Sequence, residues 1–209
     1  MMQAEFDWDE IGILISILNN KGIRYLVGDG VILSVEEENI DPVSLIQRLA
    51  ACNYPLVESA AISLFILHPE LAPAVVDALQ NSEGKVAENI AVHTLATLYL
   101  QQWWLFRLAF ALGRLPSFPE APFSALWEER HLPAPSQGYG LDGLLALQAY
   151  EQQRYGLPLN FRDGWQNQIN HLLNQEAAYQ RPLPYDLIQS LKQISTAYVT
   201  QCMEKEHIA

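Results

Sequence analysis

Apolar positions recur along this chain at the three-to-four-residue interval of a helix, and prolines or glycines interrupt the pattern where a helix would have to stop. Ile11, Ile13, Leu14, Ile15, Ile17 and Leu18 form the first run, which Asn19-Asn20-Lys21-Gly22 closes as a polar turn with a glycine stop. Asp41-Pro42 opens the next helix: the aspartate accepts from free backbone N–H groups, and proline fits the first helical position. Leu45, Ile46 and Leu49 supply its apolar face. Tyr54-Pro55 and His68-Pro69 delimit two more helices, one through Val57, Leu64 and Leu67 and one from about Pro69 to Leu79, because the residue before a proline is driven out of the helical region. Beyond Asn81-Ser82-Glu83-Gly84 the spacing predicts one long helix, about 86–112. Three further helices are marked by Leu141, Leu144 and Leu145, by Trp165, Ile169 and Leu172, and by Leu187, Leu191, Ile194, Tyr198 and Cys202.

One segment departs from this rhythm. Ile23–Val27 and Val31–Val35 are β-branched runs split by Gly28-Asp29-Gly30, which reads as a β-hairpin near residues 23–35. The expected fold is therefore mainly α: a multi-helix bundle around a long central helix, with one small hairpin. Pro116, Pro119, Pro122, Pro133 and Pro135 make 113–138 a connector with a short helix from Phe123 to Glu129. It separates an N-terminal lobe, 1–112, from a C-terminal lobe, 139–209, within one compact domain. No period of 30–45 residues marks a solenoid.

Ile90–Leu112 is long enough to cross a bilayer, but its polarity is ordered. At 100° per residue, His93, Thr94, Thr97, Gln101 and Arg107 share one arc, while Leu95, Leu98, Tyr99, Phe106 and Phe110 fill the other. That pattern describes a core helix with one face toward solvent, not a membrane span. Trp103 falls toward the core arc and Trp104 emerges among the polar residues, so Trp104, Gln101 and Arg107 form a candidate partner contact. Gln102, alone on the apolar side, needs a buried hydrogen-bond partner; His93, Gln102 and Arg107 are the candidate lining of a pocket between helices.

Composition narrows the choices. Half of the 209 residues are hydrophobic, which excludes a disordered chain, and 24 acidic against 12 basic residues give a net charge of -12. A surface so negative disfavours direct binding of nucleic acid, whose affinity comes largely from Lys and Arg. Cys52 and Cys202 stand 150 positions apart, with no Cys/His cluster, which points to a reducing cytoplasm and no structural zinc. The acidic start, with Glu5, Asp7, Asp9 and Glu10, lacks the positive charge of a signal peptide.

Motifs of catalysis are missing. Gly138-Tyr139-Gly140-Leu141-Asp142-Gly143 spells a dinucleotide-binding fingerprint, but Leu132-Pro133-Ala134-Pro135 before it cannot form the strand that motif requires. No cofactor is expected. No two of His68, His93, His131, His171 and His207 have the spacing of paired metal ligands on one helix, and no metal site is expected. Asp7-Trp8-Asp9 and Glu36-Glu37-Glu38 lack the glycine and spacing of a calcium loop, and read as solvated faces.

Tyr54-Pro55-Leu56-Val57-Glu58, His68-Pro69-Glu70-Leu71-Ala72-Pro73-Ala74-Val75 and Tyr99–Trp104 followed by Leu115-Pro116 resemble segments of small all-helical proteins that accompany minimal nucleotidyltransferases in bacteria and archaea. The resemblance covers about half the chain and carries over no functional residue. It implies a non-catalytic, antitoxin-like companion that engages a basic protein such as a nucleotidyltransferase. The nucleotidyltransferase signature, Gly-Ser with spaced aspartates, is absent. Three expectations follow: an interaction or regulatory subunit, a small-molecule enzyme or ligand-binding protein with a pocket between helices, and a homodimer formed through the hairpin edge.

Overall fold

The computed structural model describes residues 6–27, 33–177, 179 and 182–206, with side chains as far as residue 197. Its helices are α1 (Trp8–Asn20), α2 (Val35–Glu38), α3 (Pro42–Ala51), α4 (Pro55–Glu58), α5 (Ala61–Leu67), α6 (Ala72–Gln80), α7 (Gly84–Trp103), α8 (Leu105–Leu112), α9 (Ser124–Glu129), α10 (Leu141–Tyr155), α11 (Phe161–Ala177) and α12 (Tyr185–Glu206). The protein is mainly helical, and no strand occurs among the described residues. Of the expected hairpin, Ile23 and Leu26 are buried without strand pairing and Val35 opens α2; residues 28–32, which would form its turn, lie outside the described residues.

Local chemistry accounts for the helix boundaries. Asp7 caps α1 by accepting from the Glu10 N–H at 3.1 Å, and Asp41 caps α3 by accepting from Ser44 at 2.9 Å. Ser34 and Glu37 complete a reciprocal capping box at α2, so part of the acidic run 36–38 serves a helix N-terminus. Gly22 reverses the chain after α1 at φ +88°, and the Ile23 N–H donates back to Leu18 O at 2.9 Å. Arg48 clamps the Glu10 carboxylate at 2.7 and 2.6 Å and so ties α3 to α1.

α7 is the hub, in contact with α3, α5 and α6 on one side of the sequence and α10 and α11 on the other. One core cluster gathers α1, α3, α5 and α6 with Phe118 and Phe123; a second gathers α7, α8, α10 and α11. The 113–138 segment folds back onto these helices, with Phe118 stacked between Phe65 and Phe123 at 5.3 Å from each.

Two expectations about the central helix are corrected. It is broken at Trp104, which leaves the helical conformation at φ -103°, ψ 17° and resets the angular phase. Leu108, Ala109 and Leu112 therefore turn inward, while Phe106 and Phe110, expected in the core, are exposed. Nor does the polar arc of α7 face solvent: every residue from Asn89 to Gln101 is buried. Thr94 and Thr97 are satisfied within the helix, Thr94 donating to Ile90 O at 2.7 Å and Thr97 to His93 O at 2.8 Å. No single helix among the described residues is long and apolar enough to cross a membrane.

Candidate functional site

The residues expected to make a partner contact occupy three different environments. Gln101 is buried and grips the Phe118 backbone from both sides, donating to its carbonyl at 2.8 Å and accepting from its N–H at 3.1 Å. Trp104 is half-buried, and Trp103, the last residue of α7, is the more exposed of the pair, the reverse of the expected order. Arg107 is exposed, with its guanidinium 4.4 Å from the centre of the Trp104 ring.

The expected pocket trio is not brought together. Gln102 donates to Glu120 at 2.7 Å and lies nine residues from His93, roughly half a turn around the axis and about 13 Å along it. Arg107 sits beyond the break. Of the three, His93 alone lines the pocket between α4, α7, α10 and α11.

That pocket, about 450 Å³, opens between α4, α7, α10 and α11. Helix periodicity puts Asn89, Val92 and His93 on one side of α7, and Glu151, Arg154 and Tyr155 at the end of α10, where Gly156 at φ +66° stops the helix. Pro55 starts α4 and so places Glu58 and Ser59 one turn later on the rim. Phe161, Gly164 and Trp165 come from the first turns of α11. Tyr155, Phe161 and Trp165 stack in a row, with centroids 5.3 and 6.2 Å apart, and the Arg154 guanidinium lies 4.6 Å from the Tyr155 centre.

Its polar groups are unevenly matched. Arg154 Nη2 donates to Glu151 Oε2 at 2.7 Å and reaches Tyr155 Oη at 3.0 Å and Asn89 Oδ1 at 3.3 Å. His93 Nε2 stands 3.9 Å from Glu58 Oε1, outside hydrogen-bond distance. His93 Nδ1, Glu151 Oε1 and Arg154 Nε are buried with no hydrogen-bond partner. An unpaired polar atom removed from water costs about 1–3 kcal/mol, so three of them around one pocket are an unusual concentration.

Electrostatics follow burial. Burial pushes the Glu58 carboxyl up to about 7; the Lys85 and Arg154 charges pull it down and Glu151 pushes it further up. Burial also raises Glu151, against the pull of Arg154. Burial holds the His93 imidazole down at about 4, with the Arg154 charge acting the same way. Near neutral pH the pocket thus holds an uncharged imidazole beside a carboxyl poised to gain or lose a proton, a pair suited to hydrogen bonding or proton transfer. No group of three or more His, Cys, Asp or Glu among the described residues is placed to hold a metal ion.

Sequence reading missed Glu58, Glu151 and Arg154. Two signals pointed to them: an acid embedded in the apolar run around Val57 and Ala60, and an i, i+3 acid–base pair followed by Tyr155 at a helix end. Glu88, five residues before His93, is engaged elsewhere: it pairs with Arg130 at 2.8 Å and accepts from the Tyr150 hydroxyl at 2.9 Å.

The glycine-rich motif has a packing role. Gly140 adopts φ +80°, and a Cβ there would collide with the Tyr99 carbonyl oxygen; a Cβ on Gly143 would collide with the Tyr99 ring. The glycines let α10 start directly on α7. A second cleft, about 320 Å³, is lined by Lys21, Arg24, His68 and Arg114. Two of these are committed to the fold: Arg114 donates to Ile66 O and Leu67 O at the end of α5, and the His68 ring lies 2.7 Å from Lys21 O. Comparison of the chain with family models, with curated proteins and with solved structures finds no match.

Proposed function

We propose that the protein binds a small molecule in the pocket between α4, α7, α10 and α11, with His93, Glu58, Glu151 and Arg154 as its polar contacts. One observation carries this reading: three buried, unpartnered polar atoms belong to side chains that line the same pocket. Its size falls in the range of small-molecule sites, which run from roughly 300 to 1,000 Å³. Tyr155, Phe161 and Trp165 supply the apolar wall that such sites use for affinity.

Gly164 offers a direct test. A Cβ at this helical position meets nothing within 4 Å, so a large side chain there can fill the pocket without displacing the core. A fragment library screened by ligand-observed NMR should give hits on the native protein that Gly164→Phe abolishes while its circular dichroism stays native. An absence of hits at millimolar concentration, or hits indifferent to Gly164→Phe, would reject the reading and leave the pocket to water.

A second reading, a subunit that binds another protein, is favoured by one observation. Trp103, Phe106 and Phe110 follow one another at i, i+3 and i+7 and are all exposed, Phe110 to 52%. With the net charge of -12, the companion reading assigns this face to a basic protein. Co-expression with a minimal nucleotidyltransferase of the same genome should then give a complex that Phe106→Ser with Phe110→Ser disrupts. Separate elution of the two native proteins would exclude that partner.

A further inference from the structure

The pocket's charges define the kind of molecule it takes, provided the reading of it as a ligand site holds. Its lining contains two carboxylates, Glu58 and Glu151, against one guanidinium, Arg154. Arg154 is already engaged with Glu151 at 2.7 Å, while Glu58 has no Lys or Arg nitrogen within 4.0 Å among the described residues. Its near neighbour is the His93 imidazole, which burial keeps neutral. Glu151 is 97% buried by side chain, and its Oε1 has no partner. With both carboxylates ionised, the pocket is one positive charge short. Tyr155, Phe161 and Trp165 form an aromatic wall along the pocket, and Arg154 over Tyr155 shows a cation already seated at one end of it.

We propose that the pocket binds an organic monocation: an amine whose ammonium is received between Glu58 and Glu151 Oε1 and whose flat, apolar body lies against Phe161 and Trp165. An inorganic cation would leave the aromatic wall unused, and the described carboxylates and imidazoles do not assemble a metal-binding set. An anion would face both carboxylates. The high pKa of Glu58 supports the assignment, because a carboxyl held up to about 7 gains the most from an arriving cation. The charged and titratable groups around it are Cys52 at the end of α3, Lys85 and His93 of α7, and Glu151, Arg154 and Tyr155 of α10. α11 contributes only uncharged side chains to the lining.

Three indoles of nearly equal shape test the charge alone: tryptamine, tryptophol and indole-3-acetate, titrated into the full chain by calorimetry at pH 7.5. Tryptamine should bind about tenfold or more tightly than tryptophol, the ratio expected of one charge-assisted contact, and indole-3-acetate should not bind measurably. Glu58→Gln and Glu151→Gln should each erase the tryptamine preference, and both should keep the native circular dichroism. If tryptophol or indole-3-acetate binds as well as tryptamine, the cation assignment falls while the pocket stands as a ligand site. If none of the three binds, the assignment also falls, and the Gly164→Phe screen decides separately whether the pocket binds anything.

Discussion

α7 and α10 run antiparallel and meet in opposite ways at their two ends. At one end Gly140 and Gly143 press against Tyr99, whose hydroxyl is fixed to Pro133 O at 2.8 Å, and there is no room for a methyl group. At the other, Glu151 and Arg154 of α10 face Asn89 and His93 of α7 across the pocket, with polar atoms left unpaired. One helix pair thus contains a seam closed to van der Waals contact and a gap lined with costly groups. Added volume should cost stability at the first end, and the second end is the proposed binding site. On the proposed reading, the tight glycine end is the rigid scaffold that keeps the open end in place.

The glycine seam should give the largest effect. Gly140→Ala forces alanine into a left-handed conformation and drives its methyl into a backbone carbonyl, and should destabilise by about 3 kcal/mol or more. Gly143→Ala meets the Tyr99 ring, which is buried and cannot swing away, and should cost about 2 kcal/mol. Urea denaturation measures both. Losses below about 0.5 kcal/mol would mean that the seam is not tight and that the two ends do not differ.

At the pocket end the leading effect depends on pH. The folded pKa of Glu58, about 7, lies above its ordinary 4.5, so its contribution to stability is full below about pH 4.5 and is lost as pH rises through 7. The folded pKa of His93, about 4, lies below its ordinary 6.5, so its contribution is full above about pH 6.5 and is lost as pH falls through 4. Between roughly pH 4.5 and 6.5 the native pair holds one proton on the carboxyl, while the unfolded pair holds one on the imidazole. The proton counts match, and the two slopes cancel. Relative to the native protein, each single substitution should uncover the other slope: Glu58→Gln makes stability fall on acidification through this window, and His93→Gln makes it fall as pH rises. Each swing should be on the order of 2–3 kcal/mol. Glu151, also raised by burial and coupled to Glu58, adds an alkaline loss of its own, so each slope is read as a difference from the native protein. Thermal melts from pH 4 to 8 read the slopes; parallel curves for the three proteins would show that the pair does not exchange its proton in this way.

Much of the fold was readable in advance because its punctuation is local. Asp41-Pro42, Tyr54-Pro55, His68-Pro69 and Gly22 act through their own backbone angles and caps, which the sequence states directly. The phase of α8 was not readable, since periodicity assumes a constant 100° per residue and the turn at Trp104 resets it. The polar arc of α7 misled for another reason: polarity shows that a group needs a partner, not whether water, an i−4 carbonyl or the Phe118 backbone provides it. His93 was legible as a pocket residue by its place on a core helix. Its companions Glu58 and Glu151 lie 35 positions before and 58 after it, and only tertiary packing joins them.

The smallest effect gives the sharpest contrast, because it repeats the substitution made at the seam. Gly164 is helical and lies on the pocket wall, where an added Cβ meets nothing within 4 Å. Alanine there removes backbone freedom from the unfolded chain and introduces no clash, so Gly164→Ala should stabilise the protein by about 0.5–1 kcal/mol. The same change from hydrogen to methyl then has opposite signs at Gly143 and Gly164, two positions on neighbouring helices, α10 and α11, that pack against each other. A destabilised Gly164→Ala would mean that the pocket wall closes in solution. The gap would then be no more open than the seam, and the ligand reading would lose its space.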